Sequence, residues 1–584
     1  MIRLFEQHRV RKQKELEGLW DFAPVDAIAD VPDAYPYRLP VPGCWESHPD
    51  FLRYRGRGVY RTTVTVAERS ALRLVFKGVS HTAHVYWDGE LIADHYNAYT
   101  AFEAIVRNAM PGEHELRVHV DNTFGEHSGL HIPNDYRTYG GIIRPVAAES
   151  LPDLWIERLS FTPKRAPEGW EAEIAVWIRN GSDRGAVASV RGELAGLELD
   201  FGEIPVPAGG TASVSRAFAF PGAEPWSHER PKLYALEARL HDGEDDRLLD
   251  DLIERVGFRS VRVAGDRLLV NEKPVVLRGF NRHEDHASVG AALPLQLMAQ
   301  DIDWLERLGC NCVRTSHYPN DERFLDMCDE RGLYVWEESH ARSLTLEQMS
   351  HPKFASQSED CIREMVEQHR NHPSIVVWGL LNECASNTEE GRTHFEAQFR
   401  QLRGLDGSRP LTYASCHVFA DRCLDLADIV SFNLYPGWYN PETVEEFYGL
   451  LRPWVDANGG AGKPFLVSEF GGEAPYGFRD PGAAKWSEEY QAKLMGESLD
   501  YYLSRPEICG TLVWQFGDNR VDEEFPSFAS RAGNRNNKGV FDAYRRPKLA
   551  VEAIRTRFEA AAAREPERYG GGQARARANR FYSQ

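Results

Sequence analysis

Two glutamates close apolar segments in the second half of the chain. Glu383 ends the run VVWGLLNE and Glu469 ends PFLVSE. Both runs are too apolar to be solvent-facing, so both carboxyl groups are expected to be buried. Each glutamate could be a paired structural residue, but two facing carboxyl groups are also what cleavage of a glycosidic bond requires. One protonates the leaving oxygen while the other attacks the anomeric carbon.

The two roles need different environments. The general acid stays protonated near neutral pH only if burial and a neighbouring negative charge raise its pKa. The nucleophile stays ionised, which hydrogen bonds and nearby cations favour. At this level the sequence does not say which glutamate takes which role.

Apolar runs of strand length alternate with amphipathic helical runs from residue 263 to 560. Eight such alternations in about 300 residues predict a (β/α)8 TIM barrel. An open doubly wound sheet is the alternative, but the Gly-rich phosphate-binding turn is missing. The eight predicted strands are VVLRGFNRHE, CNCVRTSHYP, LYVWEES, SIVVWGLLNE, PLTYASCH, DIVSFNLYP, KPFLVSEFG and ICGTLVWQFGD.

Polar side chains close nearly every one of these strands. Barrel enzymes react at the carboxyl ends of their strands, so these residues form the predicted site. They are Arg282, His283, Glu284, Arg314, His317, Tyr318, Glu337, Glu338, Asn382, Glu383, Asn433, Tyr435, Glu469, Trp514 and Asp518.

Two all-β units precede the barrel. Short alternating strands punctuated by Gly, Asn and Asp predict an all-β unit over residues 1–150. Six or seven further strands over 151–262 predict an immunoglobulin-like sandwich. Residues 561–584 are rich in Gly and Arg and are predicted to form a loosely held tail.

Composition excludes several functional classes. The net charge is −20, which leaves no basic surplus for nucleic-acid binding. No apolar stretch of 18 residues and no signal-peptide pattern is present, so neither a membrane span nor secretion is expected. With nine cysteines and no secretory signal, reduced thiols and a cytoplasmic location are expected. Cys310 and Cys312 lack a partner pair at zinc-finger spacing, and no metal is predicted.

Several longer motifs resemble glycoside hydrolase family 2. VVWGLLNE is followed 86 positions later by VSEFG, and GFNRHEDH, VRTSHYPND, FLDMCDERGLYVWEE, EGLWDF and YGGIIRPV also match the family's pattern. The resemblance implies a jelly-roll-like sandwich, an immunoglobulin-like sandwich and a TIM barrel. It implies Glu383 as acid/base, Asn382 as ligand of the sugar 2-hydroxyl and Glu469 as nucleophile. It implies no cofactor, and a homo-oligomer is the default.

Further segments resemble the β-glucuronidase branch of that family. SFNLYPGWY carries Tyr435 and Tyr439, and RNNKGVFD carries Asn536 and Lys538, the motif that would hold a sugar carboxylate. Asp135 is implied to reach sugar hydroxyls from the first sandwich, while His283 and Trp514 are candidate sugar contacts. The alternatives are a β-galacturonidase, a dual uronidase, a β-galactosidase or a non-catalytic carbohydrate-binding relative.

Two features depart from the β-glucuronidase pattern. An arginine is expected four residues before Asn536, where this chain has Ala532, although Arg531 is one position away and Arg535 three. This leaves the choice between glucuronides and galacturonides open. The segment after the third predicted barrel strand is also short, which indicates an open cleft suited to oligosaccharides.

Overall fold

The computed structural model describes residues 2–523 and 531–568. Its first unit is a sandwich of a four-stranded sheet, ordered β1-β12-β5-β9, and a six-stranded sheet, ordered β3-β2-β4-β10-β7-β8. Strands β6 and β11 pair separately. The strands are β1 Lys12–Glu15, β2 Gly18–Val25, β3 Tyr37–Val41, β4 Arg57–Val66, β5 Ser70–Phe76, β6 Val79–Ser80, β7 Thr82–Trp87, β8 Glu90–Tyr96, β9 Phe102–Ala109, β10 Gly112–Asp121, β11 Gly141–Ile142 and β12 Val146–Leu151.

The second unit is a seven-stranded sandwich. A three-stranded sheet, β13-β14-β17, faces a four-stranded sheet, β16-β15-β18-β19. Alternate side chains of β14, among them Ala172, Ile174 and Val176, are buried, as expected where one face of a strand covers a core. The strands are β13 Leu154–Ala166, β14 Gly169–Asn180, β15 Ala186–Leu194, β16 Leu197–Val206, β17 Thr211–Phe220, β18 Tyr234–Asp242 and β19 Leu248–Val256.

A small sheet connects the second sandwich to the barrel. It comprises β20 Val261–Ala264, β21 Arg267–Val270 and β22 Lys273–Pro274. The predicted boundary between residues 262 and 263 therefore falls inside a strand, and the barrel proper starts at residue 277. The sequence alone could not separate this sheet, because its strands are as short and apolar as the neighbouring ones.

Eight parallel strands close into a barrel, which confirms the predicted TIM fold. Each lies inside one of the eight predicted apolar runs, and every residue of every strand is buried, as parallel strands covered on both faces should be. They are β23 Leu277–Asn281, β24 Cys312–Thr315, β25 Tyr334–Glu338, β26 Ile375–Leu380, β27 Leu411–Ser415, β28 Val430–Asn433, β29 Phe465–Glu469 and β30 Ile508–Val513.

Helices surround the barrel, and the caps of these helices fix where the loops begin and end. Thr443 forms a capping box with Glu446 at the start of one helix, and Gly332 ends another in the left-handed conformation at φ 74°. A hairpin of β31 Asn519–Arg520 and β32 Arg535–Asn536 follows the last barrel strand. The helices are α1 Leu295–Arg307, α2 Glu322–Arg331, α3 Leu346–Met349, α4 Phe354–His369, α5 Glu389–Leu405, α6 Val444–Val455, α7 Glu488–Tyr502 and α8 Ala550–Arg568, with single turns at Trp45–Ser47, Pro49–Phe51, Asp456–Gly460 and Ala532–Asn534.

The predicted loose tail is wrong over its first part. Helix α8 continues to Arg568, so residues 561–568 are helical. The alanine-rich start of this segment favours a helix. Residues 569–584 lie outside the described part of the chain. In that described part, no helix combines the length and apolar composition needed to cross a bilayer.

The first sandwich rests on the barrel mouth. Arg144 donates from Nη2 to Glu284 at 2.7 Å, and the Tyr99 ring stacks on Tyr318 with centroids 3.8 Å apart. Both members of the ion pair are buried, so neither charge is left to solvent. This contact brings loops of the first sandwich to the carboxyl ends of the barrel strands.

Candidate active site

Glu383 lies just beyond the fourth barrel strand. The chain turns sharply there, with φ 43° at Leu381 and 52° at Glu383, a region that side chains other than glycine rarely adopt. The carboxylate accepts hydrogen bonds from Asn433 Nδ2 at 2.9 Å and from Ser343 Oγ at 3.0 Å. Strained backbone at such a position is typical of functional sites.

Glu469 ends the seventh barrel strand and is 3% exposed. It accepts from Arg314 Nη1 at 3.0 Å and from the Tyr435 hydroxyl at 2.7 Å. Burial, and then the negative charge of Glu383, raises the pKa of Glu469 to about 8, while Arg314 opposes the shift. The two carboxyl groups therefore interact electrostatically, and the pair retains a proton at neutral pH.

Arg314 ties several strand ends together. Its guanidinium donates to both oxygens of Glu338, at 2.8 and 3.0 Å, and to Asn382 Oδ1 at 2.7 Å as well as to Glu469. Such a fork of fixed donors holds its acceptors in one plane. Asn382 is thus fixed beside the Glu469 carboxylate.

A group of charged side chains lies beside this pair. Lys538 Nζ donates to Glu473 at 3.1 Å, and Arg531 lies 3.7 Å from both Glu473 and Asp135. Lys538 is 2% exposed, and its ammonium lies 5.1 Å from the ring centre of Tyr439. Asn536 Nδ2 donates to Asp135 at 3.2 Å, which brings the predicted carboxylate motif and the first sandwich together.

Sequence reasoning missed two members of this group, Arg342 and Glu473. Arg342 Nη1 lies 2.8 Å from Asp135, and its Nη2 lies 3.5 Å from Glu383. Burial alone would raise the pKa of Asp135, but Arg342 and then Arg531 lower it below its usual value. Both missed residues lie four positions beyond a strand-ending glutamate, in loops that a list of strand ends does not include.

This group concentrates cations at the barrel mouth. Its three cationic side chains contact carboxylates within the described residues: Arg342 those of Asp135 and Glu383, Arg531 those of Asp135 and Glu473, and Lys538 that of Glu473. Most of these side chains are buried. An acidic ligand bound here would gain charge-assisted hydrogen bonds from the cations.

His283 and Trp514 line the adjacent part of the mouth. Burial lowers the pKa of His283 to about 3, so the ring is neutral. Its Nδ1 lies 3.2 Å from the Tyr318 hydroxyl, while Nε2 has no hydrogen-bond partner among the described residues. Trp514 stacks on His317 with centroids 5.0 Å apart, and its ring lies 5.5 Å from that of His283.

An unbroken series of contacts joins all the predicted site residues. Arg342 links Glu383 to Asp135, and Tyr435 lies between Glu469 and Tyr439. His317 Nδ1 lies 3.4 Å from Arg314 Nη2, and the His317 ring stacks on Trp514. The structure therefore brings together Asp135, His283, Asn382, Glu383, Tyr435, Tyr439, Glu469, Trp514, Arg531, Asn536 and Lys538.

One group of metal-ligand type is found within the described residues, at Asp326, Asp329 and His372. The Arg3 guanidinium donates to both oxygens of Asp326, at 2.8 and 3.1 Å. Asp329 lies 2.6 Å from His372 Nδ1 and accepts from the Ser374 amide at 3.0 Å. These contacts describe an ion-paired structural cluster, distinct from the charged group at the barrel mouth.

Comparison with known proteins agrees with this architecture. The family model described as "Glycosyl hydrolases family 2, TIM barrel domain" matches residues 261–562. The model "Glycosyl hydrolase 2 galactose-binding domain-like" matches residues 53–139. The β-glucuronidase of Pongo abelii is 29% identical over 95% of this chain and 92% of its own length. That of Paenibacillus borealis is 27% identical over 94% of this chain and 97% of its own.

Solved structures of the same family are also similar. A GH2 β-galacturonidase from Eisenbergiella tayi bound to galacturonate is 43% identical, with a TM-score of 0.92 over 96% of this chain and 99% of that one. A Bifidobacterium dentium β-glucuronidase complexed with coumarin-3-O-glucuronide is 25% identical, with a TM-score of 0.83 over 95% and 98%. The protein therefore belongs to glycosyl hydrolase family 2 and is a glycoside hydrolase.

Proposed function

We propose that this protein is a retaining exo-β-uronidase that cleaves β-D-galacturonides in preference to β-D-glucuronides. Glu469 is the nucleophile and Glu383 the acid/base. Lys538, Asn536 and Arg531 bind the uronate carboxylate. The observation that carries the proposal is the cluster of three cationic side chains, Arg342, Arg531 and Lys538, beside the carboxyl pair, from which a uronate carboxylate would accept charge-assisted hydrogen bonds.

The environments of the two glutamates support these roles. Glu469 receives hydrogen bonds from Arg314 and Tyr435, which favour its ionised form once a substrate is bound. Glu383 is less buried, with 15% of its side chain exposed, as access for a leaving group requires.

The reaction proceeds in two displacements. Glu383 gives its proton to the glycosidic oxygen as that bond to the anomeric carbon breaks, and a Glu469 oxygen bonds to the carbon. Glu383, now ionised, removes a proton from water, which displaces Glu469. The alcohol leaves in the first step and the free sugar in the second, with both glutamates restored.

The cationic cluster favours an acidic sugar over a neutral one. A galactoside or mannoside lacks the carboxylate that these cations would bind, and loss of a hydrogen bond to a charged group costs about 1.5–3 kcal/mol. A uronate adds charge-assisted hydrogen bonds at this position.

Similarity to known enzymes supports the choice of epimer. The sequence motifs favour β-glucuronides, and the curated relatives at 27–29% identity are named β-glucuronidases. Among the solved structures, the β-galacturonidase is 43% identical to this chain, whereas the Bifidobacterium dentium β-glucuronidase is 25% identical. We give the higher identity more weight, which makes β-galacturonides the first candidate. β-Glucuronides remain the second candidate on the strength of those relatives.

A panel of p-nitrophenyl β-D-galacturonide, β-D-glucuronide and β-D-galactoside at one pH tests the proposal. We expect kcat/KM to be highest for the galacturonide, lower for the glucuronide and lowest for the galactoside. A galactoside rate equal to both uronide rates would overturn the uronidase assignment. A glucuronide rate above the galacturonide rate would reverse the epimer choice alone.

A further inference from the structure

Three aromatic rings continue outward from the nucleophile. Tyr435, which donates to Glu469, lies 5.1 Å from Tyr439 between ring centroids, and Tyr439 lies 6.3 Å from Trp438. Trp438 is buried at 5% exposure, whereas Tyr439 is 61% exposed. The site therefore does not end at the reacting sugar but opens onto an aromatic rim.

Trp486 extends this rim. Its ring meets Trp438 edge-on, with centroids 5.0 Å apart, and 41% of the residue is exposed. Its φ is 82°, a backbone conformation that a bulky side chain rarely adopts. A large apolar ring held outward on strained backbone, at the edge of a catalytic cleft, is typical of a binding position.

Neighbouring contacts hold the Trp486 segment in place. Lys485 Nζ donates to the Trp438 carbonyl at 2.6 Å and lies 4.7 Å from that ring's centre. Ser487 caps helix α7 by accepting from the Tyr490 amide at 3.1 Å. The chain on both sides of Trp486 is thus held before any ligand arrives, and a preorganised surface binds with a smaller entropic cost.

We propose that Trp486 forms a subsite for the leaving group and that its ligand is a glycan, with one pyranose ring stacked on the indole. This rests on the proposed function, whose substrate class it narrows. The flat exposed ring suits the C–H face of a sugar, and aromatic side chains with few polar groups are typical of ligand clefts. The loop at 339–345, between β25 and α3, is only seven residues long.

A small aryl leaving group would not reach Trp486, because Tyr439 and Trp438 lie between that residue and the nucleophile. A trisaccharide with a β-linked uronosyl residue at its non-reducing end and two neutral hexoses would reach Trp486. Only long substrates should therefore depend on this residue, and the variant Trp486→Gly tests that dependence. Glycine keeps the positive φ without strain while removing the ring, so no loss of folding is expected.

In the full-length protein, we expect Trp486→Gly to lower kcat/KM on the trisaccharide by about five- to tenfold, as loss of one aromatic contact should. The rate on p-nitrophenyl galacturonide should stay unchanged, and Trp486→Phe should retain most of the trisaccharide rate. Phe419→Gly is the matched control. Phe419 is also exposed at positive φ, but its ring contacts Trp454 at 5.9 Å rather than a ring of this rim.

Binding provides a second readout, independent of turnover. The trisaccharide is titrated calorimetrically into Glu469→Gln and into Glu469→Gln/Trp486→Gly, with Kd expected to weaken by about five- to tenfold in the double variant. Equal Kd values, or equal rate losses on long and short substrates, would overturn the subsite. If the wild-type protein cleaves no uronide but the Kd still weakens, the subsite stands and the proposed uronidase function fails.

Discussion

At the scale of single residues, the site works through opposed charges held at fixed positions. Glu469 is buried next to a second carboxyl group and still accepts a hydrogen bond from Arg314. Lys538 is buried against Glu473. Neither arrangement is favourable for stability alone, because desolvated charges cost free energy even when paired. Such arrangements are typical of sites selected for chemistry.

The pH dependence follows from the raised pKa of Glu469. Below about 8 the carboxyl pair holds a proton, which it loses as the pH rises through that value. We therefore expect kcat/KM to fall as pH rises through this range, because no proton remains for the leaving oxygen. Replacing Glu383 by Gln removes the negative charge that raises the pKa of Glu469, so that pKa should fall and the alkaline limb should disappear from this pH range.

Steady-state rates on a phenyl uronide test this, since that leaving group needs protonation. Glu198→Gln is a suitable control, because that carboxylate is 78% exposed in the second sandwich. An alkaline limb that stays at the same pH in Glu383→Gln would show that another group titrates there.

Lys538 is expected to carry uronate recognition. Lys538→Ala should reduce kcat/KM on uronides by about 2–4 kcal/mol, because a desolvated ionic partner is lost. Activity on a neutral galactoside should change little. Full activity on uronides in Lys538→Ala would contradict the assignment.

The double variant Lys538→Ala/Glu473→Gln separates binding from folding. Lys538→Ala alone leaves Glu473 buried without its 3.1 Å partner. The double variant removes the buried carboxylate that has lost this partner, so it should recover thermal stability but not uronide activity. Parallel melting curves and rates of both variants provide the comparison.

At the scale of elements, the barrel strands were predictable and the loops were not. Eight continuous apolar runs identify eight buried strands because parallel strands hide both faces. Arg342 and Glu473 belong to irregular loops with no periodic pattern, so only their contacts show that they join the site. The helical start of the tail was missed because Gly and Arg nearby dominated the composition, although its alanines favour a helix.

Helix α1 illustrates how such an element is attached. Its Asp301 accepts from Arg282 at 2.9 Å, at the end of the first barrel strand, and from Arg545 at 2.7 Å, after the last. All three side chains are buried. Burial would raise the pKa of Asp301, but Arg545 and then Arg282 lower it, so the carboxylate is ionised at neutral pH.

Asp301→Ala should therefore destabilise the barrel by about 3–5 kcal/mol, because two buried guanidinium groups lose their counter-ion. The shift of the unfolding transition in urea, followed by tryptophan fluorescence, measures it. Asp303→Asn on the same helix is the control. Its side chain is 52% exposed and its partner Arg331 is at the surface, so its transition should not move. Equal transitions for both variants would contradict the structural role.

At the scale of the whole molecule, the first sandwich contributes directly to the catalytic mouth. Asp135 contacts Arg342 from one barrel loop and Asn536 from another. The motif resemblance identified this residue, but only the folded chain shows that it neutralises cations rather than ending a turn. The sandwich is therefore a part of the site rather than a separate accessory domain.

Asp135→Asn should lower kcat/KM on uronides by about 1.5–3 kcal/mol, the usual value of a hydrogen bond to a charged group. The melting temperature should fall little, because the amide keeps the shape and one acceptor. Rates and melting curves of the variant are compared with those of Asp183→Asn, a change on the exposed surface of the second sandwich. If the rates of Asp135→Asn were unaltered, the first sandwich would have no direct part in catalysis.

The contact between Asp135 and Asn536 joins positions 401 residues apart. During synthesis on the ribosome, the first sandwich can fold long before its partner in the last barrel loop has emerged. Hydrolytic activity should then arise late and in one step, after the final strand has been released and the barrel has closed. A nascent chain halted before residue 536 would hold both glutamates and still be inert.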